Sequence, residues 1–291
     1  MKFYPLLLLV LCSFTRAEEL APLAADRSAI EKIYHDHRTG TKPPFEHAMP
    51  PALLGQLVQT DRRKDSLLQQ VYGVEVTPAM VEAEVQRIDT TTRAPEMLAE
   101  IKLALGGDRA RFARAMARPL VVERLLRQRF ENDDTLHAPQ RAAADQARQD
   151  LRAQRAVEGM HDSTWLLTPR PAEDAAPAPS TLPPSTTGSQ PSASASYSNQ
   201  ATAQAAQVLA GGPEPVGGKE RYFEDLDSEL QNVLRVQLQK PGDVSAVIET
   251  PTAFLVFQAK EKSAAALTAS CLTVPKHNYD DWLAQLSAPQ P

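Results

Sequence analysis

Apolar residues in the first half of the chain recur at the three- and four-residue spacing of amphipathic helices. Glycine, proline and polar residues, which commonly end helices, separate these stretches. The pattern therefore predicts an all-helical domain over residues 18–160. The positions that share a face in its helices include Ile30, Ile33, Tyr34 and His37, then Leu67, Leu68 and Val71, then Val81, Val85 and Ile88, then Leu98, Ile101 and Leu105, and finally Val122, Leu125, Leu126 and Phe130.

Several of the helix ends carry residues with the chemistry of a cap. Gly73 follows a helix predicted over 52–72 and suits the left-handed position that closes a last turn. Thr77 precedes Pro78, so that a hydroxyl cap is followed by proline at the first helical position. Asp108 follows a Gly-Gly pair and is expected to cap the helix that begins after it.

One residue within the helical half favours an interruption. Pro119 is expected to kink or break its helix, because proline removes a backbone donor and clashes with the preceding turn. The last helix of the domain, rich in Ala, Gln and Arg, is predicted over 139–158.

The second half of the chain changes character. Residues 163–168 form a short β-rich run, and two more such runs lie at 244–249 and 253–259. Residues 169–200 are rich in Pro, Ser, Ala and Thr with almost no large apolar residue, so we expect a disordered insertion there. Residues 201–210 form at most a weak helix. The fold class predicted for the whole chain is therefore α+β.

The first 17 residues are typical of a secretory signal peptide. Lys2 precedes an apolar run, and small residues at the cleavage-reading positions favour cleavage after Ala17. Cys12 lacks the preceding small residue that a lipoprotein signal requires, and no segment has the length of a membrane span. We therefore expect a periplasmic protein without a membrane span.

The net charge and the cysteine count exclude some classes of partner and of covalent cross-link. The chain has 31 Lys and Arg against 36 Asp and Glu, and removing Lys2 and Arg16 changes its net charge from −5 to −7. An acidic chain argues against nucleic acid as a partner, which normally requires a basic face. After cleavage only Cys271 remains, so no intrachain disulfide is expected, and its thiol is predicted to be half-buried.

Residues 217–257 carry a family resemblance. Gly217-Gly218, the aromatic pair Tyr222-Phe223, a helix, the phrase KPGDVS with its Pro-Gly turn, and Thr-Pro before a buried strand stand in the order of a parvulin-type prolyl isomerase domain. The resemblance implies a small parvulin-like α/β domain over 161–262. The family places an active-site histidine where this chain has Leu255, which puts catalysis in doubt.

Together with the helical half and the signal peptide, this domain makes the chain resemble the foldases of the SurA and PrsA type. That resemblance implies a periplasmic chaperone that binds unfolded or extended segments of envelope proteins, with no cofactor and no catalytic residue. The substrate-binding residues expected from it are Tyr222, Phe223, Leu226, Leu230 and Leu255. It also implies that a helix over 278–287, within the C-terminal segment 263–291, completes the helical domain.

Two alternatives remain open at this point. The first is an active prolyl isomerase in which other polar groups, such as Thr250 or Tyr222, replace the histidine. The second is a non-enzymatic envelope scaffold with one fixed partner.

Two groups of charged or titratable residues, an arginine run and a pair of histidines, could be binding sites or ordinary structural features. The arginines between 109 and 129 are compatible with nucleic acid or acidic lipid, but their apolar neighbours favour a face that is either solvated or joined to other helices by ion pairs. His35 and His37 suggest a metal, yet side chains two residues apart point to different sides of a helix. No metal site is therefore predicted.

Overall fold

The computed structural model describes residues 7–169 and 221–287, with side chains described for 20–169 and 221–286. Its contacts divide the chain into two compact units, the first ending at Arg129 and the second beginning at Phe130. The predicted insertion at 169–200 (all but its first residue), the weak helix at 201–210 and the pair Gly217-Gly218 lie outside the described residues.

The described part of the first unit is helical, as the apolar spacing predicts. A π-helical segment, Ala113–Ala117, separates its last two α-helices. The helices are α1 (Leu7–His37), α2 (Phe45–Ala48), α3 (Pro51–Tyr72), α4 (Pro78–Thr91), α5 (Pro95–Ala104), α6 (Arg109–Phe112) and α7 (Arg118–Glu131).

The capping residues that the sequence predicts lie at the ends of helices in the structure. Gly73 closes α3 with φ of 66°, in the left-handed region that glycine enters without strain. The Thr77 hydroxyl accepts the Met80 amide at 3.3 Å, and Asp108 accepts the amides of Ala110 and Arg111. These local signals fix where α3 ends and where α4 and α6 start.

The α-helix is interrupted just before Pro119, as predicted, but the chain does not leave the helical path. The helical path continues from Arg109 to Glu131, and Pro119 is the second residue of α7. The preceding turn is π-helical, and the Arg118 amide donates to the Ala113 carbonyl five residues back. A π-turn widens the helix by one residue, which relieves the clash of the proline ring with the turn before it.

The second unit contains an antiparallel sheet between helices, which confirms the α+β class. In the part of the chain that the structure describes, four strands lie in the order β1-β4-β3-β2. They are β1 (Met160–Leu166), β2 (Ile248–Glu249), β3 (Ala253–Lys262) and β4 (Ala266–Pro275). The helices of this unit are α8 (Ala138–Arg152), a 3₁₀ turn (Phe223–Asp225), α9 (Ser228–Gln237) and α10 (Tyr279–Ser287).

Alternation along β3 divides the core of this unit in two. Leu255 and Phe257 point to the face covered by the 3₁₀ turn and α9. Phe254 and Val256 point to the opposite face, where α8 packs. This two-residue period places each side chain of the strand in one core or the other.

Four sequence predictions for this unit need correction. The β-rich runs predicted from the sequence end at 259, but a further strand, β4, follows and pairs with both β1 and β3. The run at 244–249 pairs regularly only over Ile248–Glu249. The helix predicted over 139–158 ends at Arg152, close to Gln154, which has φ of 57°. Cys271 is only 2% exposed, and burial raises the pKa of its thiol to about 12.

Two glycines of the first unit give opposite expectations for one substitution. Gly73→Ala should lower the free energy of unfolding by about 1 kcal/mol, because a Cβ disfavours the left-handed conformation. Gly55→Ala should raise it by about 0.5–1 kcal/mol, because Gly55 lies inside α3 with open space around its Cα. Urea unfolding followed by circular dichroism measures both, and a loss of stability in both variants would contradict the assignment of the two positions.

Candidate functional site

A cavity of about 950 Å³ lies among the helices of the first unit. This volume is at the upper end of the range for ligand-binding clefts. Its walls come from α1, α3, α4, α6, the π-segment and α7. The lining residues are Pro22, Leu23, Arg27, Val58, Asp61, Arg62, Asp65, Pro78, Val81, Glu82, Ala110, Ala113, Arg114, Ala115, Arg118, Pro119 and Val122.

The lining combines small apolar side chains with charged ones. The apolar residues are alanine, valine, proline and one leucine, without an aromatic ring. Side chains of this size leave space between helices that are held apart, whereas larger ones would fill it. The charged members are four arginines and three carboxylates, so the wall is close to neutral.

A buried carboxylate on α1 joins two walls of the cavity. Asp26 is 2% exposed and accepts hydrogen bonds from Arg111 at 2.5 and 3.0 Å. Arg114, in the π-segment, approaches its other oxygen at 3.4 Å. An arginine and a carboxylate form the strongest class of side-chain hydrogen bond, so α1 is tied to α6 and to the π-segment.

A second buried carboxylate joins α4 to α7. The Glu84 side chain is 1% exposed and accepts from Arg87 at 2.6 Å and from Arg124 at 2.7 Å. Burial by itself raises the pKa of this carboxyl, but the hydrogen bonds and charges of the two guanidinium groups outweigh it and lower the pKa below its usual value. Glu84 therefore stays ionised between the two helices.

Further ion pairs connect the remaining walls. They are Arg27–Asp61 between α1 and α3, Arg118–Asp65 and Lys64–Glu123 between α3 and α7, and Arg109–Glu82 between α4 and α6. Of the two forms predicted for the arginine run, a solvated face or ion pairs between helices, the structure shows ion pairs between helices for Arg109, Arg111, Arg114, Arg118 and Arg124. Burial raises the pKa of Asp61, whereas the hydrogen bond from Arg109 lowers the pKa of Glu82.

The five predicted substrate-binding residues lie in the second unit and are buried there. Their exposed fractions run from 1% for Leu255 to 7% for Leu226. All but Tyr222 belong to the core between the sheet, the 3₁₀ turn and α9. Tyr222 forms an isolated bridge with Leu166. The structure therefore gives these side chains packing roles, and their contact with a substrate stays a prediction.

Thr250, one of the polar residues considered as a replacement for the histidine, is used in a turn. The Thr250 hydroxyl donates to the Ala253 carbonyl at 2.8 Å and accepts the Ala253 amide at 2.9 Å. Leu255 itself pairs with Ile248 and Thr273 in the sheet and packs among apolar side chains. Leu255, where the resemblance would place the histidine of the parvulin family, thus holds a core position.

The two histidines on α1 have separate partners. His35 Nε2 lies 2.9 Å from the Pro43 carbonyl, and His37 Nε2 lies 2.9 Å from a Glu100 carboxylate oxygen. Within residues 20–169 and 221–286 we find no group of three or more His, Cys, Asp or Glu that could hold a metal ion. Among the described helices, none has the length and apolar character needed to cross a membrane.

Comparison of the chain with protein-family models, with curated proteins and with solved structures gave no match. The candidate site therefore stands on its own geometry. The sequence does not reveal the cavity, because the buried ion pairs that join its helices connect residues 85 and 40 positions apart. The one available signal was the arginine run opposite acidic residues on α1, α3 and α4.

Glu84→Gln should destabilise the first unit by about 1–3 kcal/mol, because it weakens two charge-assisted bonds at a buried site. Because the pKa of Glu84 is lowered in the folded state, its contribution is present above the ordinary pKa of about 4.3 and is lost as pH falls through the lower, folded value. Glu82→Gln is the control, since it makes the same change at an exposed pair on the same helix. Urea unfolding at pH 7 and pH 4 measures both. Equal losses in the two variants would contradict the role of Glu84.

Proposed function

We propose that the protein is a periplasmic chaperone that binds unfolded or extended segments of envelope proteins. The observation that carries this proposal is the cavity of about 950 Å³ in the first unit, which is lined by small apolar side chains and by charged ones. The proposal joins this geometry to the sequence resemblance to foldases of the SurA and PrsA type.

The two kinds of lining residue have separate tasks in this proposal. Burial of client side chains against the alanines, valines and prolines supplies affinity, at roughly 25 cal/mol per Å² of apolar surface removed from water. Arg114 and Arg118 keep their guanidinium groups partly exposed while bonded to Asp26 and Asp65. Such groups can also bond the carbonyls of an extended chain, which has no internal partners for them.

The sheet unit contributes a parvulin-like scaffold without catalysis in this proposal. Rotation about an X–Pro bond has a barrier of about 18–20 kcal/mol, and lowering it needs polar groups at the twisted amide. Leu255 supplies none, and the Thr250 hydroxyl is bonded within its own turn. Binding of clients therefore fits the chain better than isomerisation.

Suppression of the aggregation of an unfolded outer-membrane protein tests the proposal. Ala110→Glu should weaken suppression several-fold, because it places a carboxylate on the apolar wall at an exposed position. The matched control is Ala99→Glu, with the same charge change at an exposed position of α5 outside the cavity lining. Suppression by wild type and by Ala99→Glu should be equal.

No suppression by the wild-type protein at several-fold excess would contradict a general chaperone and favour a scaffold with one fixed partner. Equal suppression by both variants would separate client binding from the cavity.

A protease-coupled assay with a proline peptide tests the second unit. We expect the peptide to isomerise at its uncatalysed rate, because the family's histidine position holds buried Leu255. Turnover that falls on Tyr222→Phe or Thr250→Val would contradict this expectation and establish the isomerase alternative.

A further inference from the structure

Four rings of the second unit meet around Phe130. Its ring centroid lies 5.1 Å from that of His137, 5.3 Å from that of Tyr279 and 5.1 Å from that of Trp282. Tyr279 and Trp282 belong to α10, so this helix contacts Phe130 through two of its rings. Aromatic pairs at these distances stabilise by about 0.5–1.5 kcal/mol each beyond the area they bury.

His137 is fixed in this cluster as a neutral ring. It is 1% exposed, and its Nε2 lies 2.9 Å from the Phe130 carbonyl, to which it donates. Its Nδ1 is buried and has no hydrogen-bond partner among the described residues. A second proton on the ring would therefore create a buried N–H without an acceptor, together with a buried charge.

The groups around His137 add to this penalty. Its ring stacks on His277 at 5.8 Å, one residue before Asn278, whose side chain caps α10. The ammonium group of Lys276 is buried nearby, where it donates to the Glu131 carbonyl and pairs with Glu249.

Among the described residues, the carboxylates near His137 are already bonded to other groups, so none is left to pair with a protonated His137. Glu249 is also paired with Arg141 of α8, so its charge is shared between two cations. Asp133 is the acidic group that favours a charged His137, but its carboxylate accepts the amides of Thr135 and Leu136. An imidazolium here would face Lys276 and His277 without a carboxylate of its own.

We propose that His137 makes the docking of the C-terminal helix α10 depend on pH, with α10 docked at neutral pH and loosened in mild acid. Protonation of His137 places a positive charge close to the Lys276 ammonium group and against the ring of His277. Movement of residues 276–277 away from His137 relieves the repulsion, and it carries Asn278 and the aromatic contacts of α10 with it.

The direction follows from the burial of the ring. Burial first, and then the charges of Lys276 and His277, lower the pKa of His137, although the bond to Phe130 and the charge of Asp133 act against them. Above the ordinary pKa of about 6.5 the docked and undocked forms are both neutral, so docking is complete. As pH falls below that value, the undocked form binds the proton more readily and docking weakens.

Amide hydrogen exchange in the full chain, corrected for the intrinsic effect of pH, tests the proposal. Between pH 7.5 and pH 5, protection of residues 282–286 should fall several-fold, up to about tenfold for each unit by which the pKa of His137 is lowered. Protection of β3 and β4 should remain. His137→Gln should remove the pH response, because its amide can donate to the Phe130 carbonyl but does not titrate. His277→Gln should retain it.

Equal protection of α10 in the wild type at both pH values would overturn the proposal, as would a full response in His137→Gln. An NMR titration of the His137 ring in the wild type is independent of any variant. We expect a midpoint below 6.5, and a midpoint at or above it would overturn the proposal.

Discussion

The cavity of the first unit depends on two buried carboxylates. Asp26 and Glu84 each accept bonds from two arginines, and together they join α1 to the π-segment and α4 to α7. A buried charge without partners is strongly unfavourable, so these helices cannot slide toward one another without breaking the bonds. The small residues that face the cavity leave the intervening space open. The size and lining of the cavity thus follow from where the ion pairs hold its walls.

The core of the second unit is apolar on both faces of its sheet. Both faces of the sheet are covered by helices, and successive side chains of β3 point alternately into the core on one face and the core on the other. Leu255 fits this arrangement because an apolar side chain needs no hydrogen-bond partner at a buried position, whereas a histidine would. The sheet can therefore be kept on packing alone, so the proposed function assigns client binding to the helices of the first unit and no catalysis to the sheet.

The features that the sequence predicted well are local. Gly73, Thr77 and Asp108 mark helix ends, because each acts on amides or dihedral angles within a few residues. Pro119 indicated an interruption of its helix but not the form that it takes, because a π-turn leaves no mark in the spacing of apolar residues. β4 was missed because small and polar residues are common in it, and its pairing with β1 joins segments about a hundred residues apart. The site was invisible for the same reason, since the bond between Asp26 and Arg111 spans 85 positions.

The central claim is that unfolded segments bind in the cavity of the first unit. Photo-crosslinking measures this most directly, with a benzophenone amino acid at position 113 in the cavity wall and, separately, at position 99 on α5 outside the lining. The account predicts adducts with an unfolded outer-membrane protein from position 113, reduced by unlabelled client, and few from position 99. Equal adducts from both positions, or none from position 113 while the protein still suppresses aggregation, would contradict it.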